Sequence, residues 1–265
     1  MKNKVAIISV YFGQFPKNFE YTKKSIKFNK DYNWLIFSDQ YNEEVVDNNL
    51  RFIPISYQDI NNRLKSIFKE DFYIDTPYKM VDLKPMFGDL FFDYIKDCDW
   101  WGFTDLDVIY GNLNNFINDD VLDNFEVISQ NHRNLFGPFT LLPIRFKNLY
   151  LEIENVKILI QTTGPSKFQT NCIDEKYFGD LIRNKKLKIY DSRIIAGQPI
   201  SLVRCGKSKL PAVWRDGNVE LHTLIVDYPE KHYLKYGADT LVLHLPKEKM
   251  RFIDISDSEF RMVRI

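Results

Sequence analysis

The sequence is poor in cysteine, has no long apolar run and carries no excess of either charge. Cys98, Cys172 and Cys205 show neither metal-ligand spacing nor a disulfide framework. No segment approaches the roughly 20 apolar residues of a transmembrane helix, and no signal peptide is evident. Basic and acidic residues number 36 each, which argues against a nucleic-acid binder. These absences favour a cytoplasmic protein with reduced thiols.

Two basic stretches near the end of the sequence leave a peripheral contact with the inner face of a membrane open. Their cations are Lys247, Lys249, Arg251, Arg261 and Arg264. An ordinary solvated surface is the alternative interpretation of such scattered charges.

Apolar runs and helical spacings alternate along the first part of the chain. Strands are expected at residues 4–11, 33–39 and 51–55, and helices at 19–29, 60–68 and 85–94. This alternation predicts an α/β protein with a parallel sheet. Ligands of such sheets bind at the carboxyl ends of the strands.

The second half of the chain is less regular. Strands are expected at residues 125–130, 139–142 and 240–245, and helices at 148–161 and 175–185. There is no internal repeat, low-complexity tract or linker, and 265 residues suffice for one large core. A single domain over residues 1–265 is therefore expected.

Two aspartates follow the apolar run from Trp100 to Thr104. If Asp105 and Asp107 continue the strand, both carboxylates face the same side. Converging carboxylates repel each other unless a proton or a cation lies between them. Mg²⁺ or Mn²⁺ suits such a pair and often shares it with substrate phosphates. The pattern indicates a phosphate-handling enzyme.

This Asp-Leu-Asp segment and its context resemble the GT-A fold of nucleotide-sugar glycosyltransferases, particularly those of bacterial capsule, exopolysaccharide or lipopolysaccharide synthesis. The resemblance covers nearly the whole chain and implies a central mixed, mostly parallel sheet flanked by helices. It implies a nucleotide-binding half at 1–111 and an acceptor and catalytic half at 112–265. The implied donor is a nucleotide-diphosphate sugar, most often a UDP-sugar in this fold, and the acceptor is a hydroxyl of a glycan or lipid-linked glycan.

The resemblance also implies a set of metal and diphosphate ligands. Asp105, Asp107 and His244 would bind Mn²⁺ or Mg²⁺, and Asp105 has an alternative role against ribose or sugar. Lys247 would contact the donor diphosphate. The histidine-x-x-glycine-x-x-lysine form of some retaining families is not matched, so Lys249 competes with Lys247 for this role.

Donor-binding residues are implied at three further places. Those for the nucleotide base and ribose are Ser9, Tyr11, Phe12 and Asp39, and those for the sugar and phosphates are Lys79, Asp82 and Lys84. Asp39 has the alternative role of capping a turn. The residues from 79 to 84 have the alternative of an exposed helix start.

Catalysis and acceptor binding are implied for the second half. Gly137 would let the backbone approach the donor sugar. Asp174 or Glu175, with Asp174 slightly favoured, would deprotonate the acceptor hydroxyl as in inverting members. Acids serving the helix dipole are the alternative. The sequence 163–165 resembles a retaining family, so inversion is favoured but not settled, and Trp214 is a candidate for stacking on the acceptor.

Two other functions compete with glycosyl transfer. A haloacid-dehalogenase-type phosphohydrolase also uses Asp-x-Asp after a strand, but places the motif early in the fold. A non-catalytic protein that binds sugar nucleotides would retain the fold without the transfer reaction.

Overall fold

The computed structural model describes residues 1–17, 19–74, 76–129, 135, 137–165 and 170–190, and beyond them only the backbones of the strands given below. The chain forms two compact units that alternate along the sequence. Unit one comprises residues 1–15, 31–105 and 119–191, and unit two comprises 16–30, 106–118 and 192–265. This division crosses the predicted boundary at residue 111, and the prediction of one domain with two halves stays a prediction.

Unit one is built on an eight-stranded sheet. With strands numbered in chain order, its members are β1 Val5–Tyr11, β2 Tyr32–Ser38, β3 Val45–Asp47, β4 Leu50–Pro54, β5 Trp100–Thr104, β7 Val127–Ser129, β8 Phe139–Pro143 and β9 Ile189–Tyr190. The spatial order is β3-β4-β2-β1-β5-β8-β7-β9. Strands β4, β2, β1 and β5 run parallel, as do β7 and β9, whereas β3 and β8 run antiparallel to their neighbours. The predicted α/β class with a mixed, mostly parallel sheet is confirmed.

Helices accompany this sheet. They are α2 Tyr57–Phe68, α3 Lys79–Leu83, α4 Phe87–Leu90, α5 Phe92–Ile95, α6 Asp119–Asn124, α7 Val156–Gln161 and α8 Phe178–Asn184. Short 3-10 turns lie at Lys84–Met86, Ile144–Phe146 and Leu149–Glu152, and a π-helical turn at Ile173–Tyr177 leads into α8. Within the described part of the chain, no helix is both long and apolar enough to cross a bilayer.

Helix α2 shows how local sequence sets an element. Ser56 Oγ accepts from Asp59 N–H, and the Asp59 carboxylate accepts from Ser56 N–H, so the two residues form a capping box. Ile60, Leu64 and Phe68 recur at helical spacing and are buried in the core of unit one. The prediction of a helix through residues 60–68 is confirmed, with one more turn at its start.

Two helices that were predicted as continuous are broken. The segment 85–94 consists of a 3-10 turn, α4 and α5, because Phe91 leaves helical geometry at φ −118° and ψ 25°. The segment 148–161 consists of a 3-10 turn and α7, separated at Asn155, which has a left-handed φ of 57°. Apolar spacing alone does not reveal such breaks, since both halves bury side chains in the same core.

Unit two contains α1 Phe19–Phe28 and two antiparallel sheets. Its strands are β6 Val108–Tyr110, β10 Ala212–Arg215, β11 Asn218–Val226, β12 Lys231–Tyr236, β13 Val242–His244, β14 Met250–Ser256 and β15 Glu259–Arg264. The larger sheet has the order β12-β11-β10-β15-β14, and β6 pairs with β13. Only β13 among the strands after residue 190 was predicted.

A buried polar stripe on and just after α1 supports the backbone from Leu106 to Leu113. Thr22 Oγ1 donates to the Leu106 carbonyl at 3.0 Å, and Tyr110 N–H donates to Ser25 Oγ at 3.1 Å. Asn29 Nδ2 donates to the Gly111 carbonyl at 2.9 Å, and its Oδ1 accepts from Leu113 N–H at 2.8 Å. These side chains satisfy backbone groups of β6 and its flanks on the α1 side.

Replacing Asn29 with alanine is expected to lower the free energy of unfolding by about 2–4 kcal/mol. The change leaves two buried backbone groups, the Gly111 carbonyl and the Leu113 N–H, without their hydrogen bonds. Urea denaturation measures the loss. Asn124→Ala is the control, since Asn124 Nδ2 makes an exposed bond to the Asp120 carbonyl. Equal effects of the two substitutions would contradict the support assigned to Asn29.

Candidate functional site

The Asp-Leu-Asp segment leaves the sheet at its first residue. Strand β5 ends at Thr104 and β6 begins at Val108, so residues 105–107 do not continue a strand and the expectation of an extended aspartate pair is wrong. The physical reason lies at the strand end, where Thr104 Oγ1 and Asp105 N–H both donate to the Pro138 carbonyl, at 2.9 and 3.2 Å. Asp105 belongs to unit one, and Asp107 belongs to unit two.

One lysine joins the residues that were predicted for donor binding and catalysis. Lys84 Nζ lies 2.6 Å from Asp105 Oδ1 and 3.4 Å from Asp174 Oδ2, and donates to the Gly137 carbonyl at 2.9 Å. The Lys84 side chain is only 6% exposed. Burial lowers the pKa of Lys84, but Asp105 and Asp174 outweigh this effect and raise the pKa above its usual range. Lys84 is therefore charged at neutral pH.

Asp174 lies in the first turn of the π-helical segment and is 2% exposed. Burial raises the pKa of its carboxyl to about 7; Lys84 opposes this rise, while Glu175 and Asp105 add to it. Among the described residues, nothing hydrogen-bonds to the buried Oδ1. Asp174 thus has a buried oxygen without a hydrogen-bond partner among the described residues, and its pKa of about 7 suits a general base.

Gly137 is where backbone and carboxylates approach most closely. A Cβ added there would lie 2.5 Å from Asp174 Oδ2 and 2.9 Å from Glu175 Oε1. The neighbouring Leu135 N–H donates to the Glu175 carbonyl at 3.1 Å. The prediction of a close approach at Gly137 fits this geometry, although the described contact is with the carboxylates and not with a sugar.

Lys79 and Asp82 are engaged with protein groups. Asp82 is fully buried and accepts from Lys79 Nζ at 2.9 Å and from the N–H groups of Asn171 and Ile173 at 3.0 and 3.2 Å. Lys79 also donates to the Thr162 carbonyl at 2.6 Å. These contacts point to an architectural role, and their predicted contact with a donor stays a prediction.

The residues predicted for the nucleotide base lie at the ends of β1 and β2. Ser9 and Phe12 are buried, and the Phe12 ring stacks on Tyr57 with centroids 4.1 Å apart. The exposed Asp39 accepts from Gly13 N–H at 2.8 Å, which ties the loops after β1 and β2 together. This bond reaches a residue 26 positions away and not a local turn, so the capping alternative for Asp39 stays a prediction, as does its role toward a base.

Tyr11 completes this group. Its half-buried ring lies 5.8 Å from that of Phe15, measured between centroids. A half-buried aromatic ring at the carboxyl end of a strand can offer a face to a planar ligand. The neighbouring rings of Phe15 and Tyr41 are also half-buried, so the contact of Tyr11 with a base stays a prediction.

The pairing of β6 with β13 brings the backbone of His244 close to the backbone that follows Asp107. His244 is the register partner of Val108, the residue after Asp107. Carboxylate oxygens suit Mg²⁺ and Mn²⁺, so the chemistry of this donor set fits the predicted cation. Among the described side chains, no three metal-binding residues cluster. Lys247, Lys249 and the side chains of His244 and Trp214 lie outside the described part of the chain.

The structure thus brings together five predicted residues of unit one: Lys84, Asp105, Gly137, Asp174 and Glu175. The residues predicted for the base form a separate group in the described contacts. Sequence reasoning missed Asn171, whose Nδ2 donates to the Leu159 carbonyl at 2.7 Å. It also missed the polar stripe of α1, for which the buried spacing of Thr22, Ser25 and Asn29 was the available signal.

A family model matches residues 7–264 and is described as a family of unknown function, DUF6625. The chain belongs to the DUF6625 family. No curated protein matches it significantly.

Solved structures with partial similarity are glycosyltransferases. One is involved in glycosylation of the major capsid of PBCV-1, with 11% identity, 71% of this chain and 81% of that chain covered, and a TM-score of 0.37. Mouse xyloside xylosyltransferase 1 has 9% identity, coverage of 71% and 84%, and a TM-score of 0.36. The galactosyltransferase LgtC, in complex with donor and acceptor sugar analogs, has 13% identity, coverage of 73% and 69%, and a TM-score of 0.32. At these values the similarity carries no functional argument.

Replacing Asp174 with asparagine is expected to stabilise the protein at pH 8. The pKa of about 7 in the folded state exceeds the ordinary aspartate value. The folded protein therefore holds this proton more tightly than the unfolded chain, and the resulting stability, present below pH about 4, is lost as the pH rises through 7. A neutral amide avoids that loss, which is worth about 1–4 kcal/mol.

Urea unfolding at several pH values between 4 and 8 measures this effect. Asp89→Asn is the control, because Asp89 is a partly buried carboxylate in the same unit that bonds Tyr150 and Lys147. If Asp174→Asn keeps the wild-type pH dependence, another group is responsible for the titration.

Proposed function

We propose that the protein is a metal-dependent glycosyltransferase that moves a sugar from a nucleotide-diphosphate donor, a UDP-sugar in the first instance, to a hydroxyl of a glycan or lipid-linked glycan. The observation that carries the proposal is the buried cluster in which Lys84 lies between Asp105 and Asp174. Burying charged groups costs stability whether or not they are used, so burial of both Lys84 and Asp174 is expected where these charges have a function. Strongly perturbed acids of this kind are typical of active sites.

In the proposed reaction, the acceptor oxygen attacks the anomeric carbon of the donor sugar. The carbon–oxygen bond to the diphosphate breaks, and its electron pair leaves with the diphosphate. The acceptor proton passes to Oδ1 of Asp174, to which no described residue hydrogen-bonds, and the carboxyl pKa of about 7 suits a base at neutral pH. The charge of Lys84 stabilises negative charge that develops beside it. This step inverts the anomeric centre, the stereochemistry that we favour.

A divalent cation fits the remaining acids. Asp105, Asp107 and His244 would hold Mn²⁺ or Mg²⁺, and His244 is the register partner of Val108, the residue after Asp107. When bound, the cation neutralises charge on the leaving diphosphate. Asp39 and Tyr11 would contact the base, and Lys247 or Lys249 the diphosphate. A role in bacterial surface-polysaccharide synthesis, at the inner face of the membrane, follows from the sequence resemblance alone.

The proposal predicts that one nucleotide raises the melting temperature in an Mn²⁺-dependent manner. UDP, GDP, CDP and CMP are tested with and without Mn²⁺, since a ligand that binds only the folded state stabilises it. Asp107→Ala is expected to abolish the shift while keeping the unliganded melting temperature. The control is Asp97→Ala, which removes an exposed aspartate elsewhere in unit one.

Release of the nucleotide from the matching sugar donor then tests catalysis. Lys84→Met and Asp174→Asn are each expected to reduce turnover by at least about 100-fold, the usual effect of losing a proton acceptor or a charge stabiliser. Phosphate release from an aryl phosphate would favour the phosphohydrolase. Nucleotide binding without transfer or donor hydrolysis would favour the non-catalytic sugar-nucleotide binder, and no response to any nucleotide would contradict the proposal.

A further inference from the structure

The buried carboxylate of Asp82 lies two residues before Lys84 and makes no hydrogen bond or ion pair with the active-site cluster in the described contacts. Its Oδ1 accepts from Asn171 N–H at 3.0 Å and Ile173 N–H at 3.2 Å. Its Oδ2 accepts from Asn171 N–H at 3.0 Å and from Lys79 Nζ at 2.9 Å. Both oxygens are therefore engaged, and the two N–H groups belong to the residues on either side of Cys172.

The segment Asn171–Ile173, which donates its N–H groups to Asp82, leads directly to Asp174. Cys172 has a left-handed φ of 56°, an uncommon conformation for a residue with a side chain, and the π-helical turn starts at the next residue. Such a backbone conformation persists only where its surroundings enforce it. The carboxylate of Asp82 enforces it by accepting N–H groups on both sides of the turn.

Further contacts anchor the same segment. Asn171 Nδ2 donates to the carbonyls of Leu159 and Thr162, at 2.7 and 3.0 Å, at the end of α7. Lys79 Nζ donates to the same two carbonyls, at 3.3 and 2.6 Å. The ion pair of Lys79 and Asp82 thus connects α3, the end of α7 and the turn before Asp174.

We infer that Asp82 is a positioning residue, which sets the turn at Asn171–Ile173 and thereby places the Asp174 carboxylate beside Lys84. The role of Asp82 in catalysis rests on the proposed function. Its hydrogen bonding of the turn at Asn171–Ile173, which we call the clamp, does not. The inference differs from the donor contact expected from the sequence, since both carboxylate oxygens already hold protein groups. Asp82 acts through Asp174 and has no direct part in the chemistry.

Asp82→Asn is the variant that tests this inference. The amide keeps the shape and one acceptor, but its NH₂ group then faces a donor, either Lys79 Nζ or the backbone N–H groups. Asp89→Asn is the matched control, because Asp89 accepts from Tyr150 and Lys147 elsewhere in unit one. If Asp82→Asn does not fold, the double variant Lys79→Gln/Asp82→Asn removes the unfavourable contact with the ammonium and still lacks the carboxylate.

Cys172 supplies a readout that needs no activity. In a Cys98→Ser/Cys205→Ser background, alkylation of the half-buried Cys172 thiol by iodoacetamide reports opening of the turn. We expect faster alkylation in Asp82→Asn and an unchanged rate in Asp89→Asn. An unchanged rate in Asp82→Asn would overturn the clamp, whether or not the wild type transfers sugar.

Kinetics test the link to Asp174. We expect Asp82→Asn to lower kcat by about 10- to 100-fold, the cost of displacing a catalytic group by about 1 Å, with little change in the donor KM. In Asp174→Asn, adding Asp82→Asn should cost little more, because residues that act as a unit are not additive. Faster alkylation with unchanged kcat, or full additivity, would overturn the positioning role. A wild type without transferase activity would refute the proposed function and leave alkylation to decide on the clamp.

Discussion

The charge of Lys84 is the constraint on which the candidate site depends. Asp105 and Asp174 come from distant parts of the chain and lie within 2.6 and 3.4 Å of the same ammonium. Without that cation, the buried carboxylate of Asp174 and the half-buried carboxylate of Asp105 would repel each other, which favours protonation. Even with it, burial raises the pKa of Asp174 to about 7, and Glu175 and Asp105 add to this rise, so one positive charge does not fully offset the burial of this carboxylate. The site therefore carries an electrostatic cost.

The packing of β5 explains how Lys84 comes to lie beside Asp105. Gly88 in α4 faces the ring of Trp101, and a Cβ there would lie 2.5 Å from that ring. Gly102 packs equally closely against β8, where a Cβ would lie 2.4 Å from the Thr140 carbonyl. Lys84 precedes Gly88 by about one helical turn, so this contact sets it near the end of β5. Two glycines without evident catalytic meaning thus control the geometry of the charges.

Much of the fold was predictable from the sequence because its signals are local. Strand β1 and helix α2 carry unambiguous apolar patterns, and both were predicted to within a few residues. The break of the helix at Phe91 was not predictable, because it changes the backbone without changing the apolar spacing. The extended aspartate pair was wrong because the strand ends where Thr104 and Asp105 turn to the Pro138 carbonyl.

The residues that come together at the candidate site were easier to predict from the sequence than the contacts between them. The family resemblance named Lys84 for a phosphate and Asp82 for a sugar hydroxyl, whereas the described structure pairs Lys84 with Asp105 and Asp82 with Asn171. A contact between residues about 90 positions apart depends on the path of the whole chain, which no spacing rule encodes. The chemistry of a site limits which residue types can serve in it. The fold of the chain determines which of these residues contact each other.

The two aspartates of the motif are held by separate sets of contacts. Asp105 is bound by Lys84 in unit one, whereas the backbone next to Asp107 is bound by Thr22 of α1 in unit two. The carbonyl of Leu106 accepts the Thr22 hydroxyl, so support for the second unit begins immediately after Asp105. The described contacts of the motif therefore come from Lys84 at Asp105 and from Thr22 at Leu106.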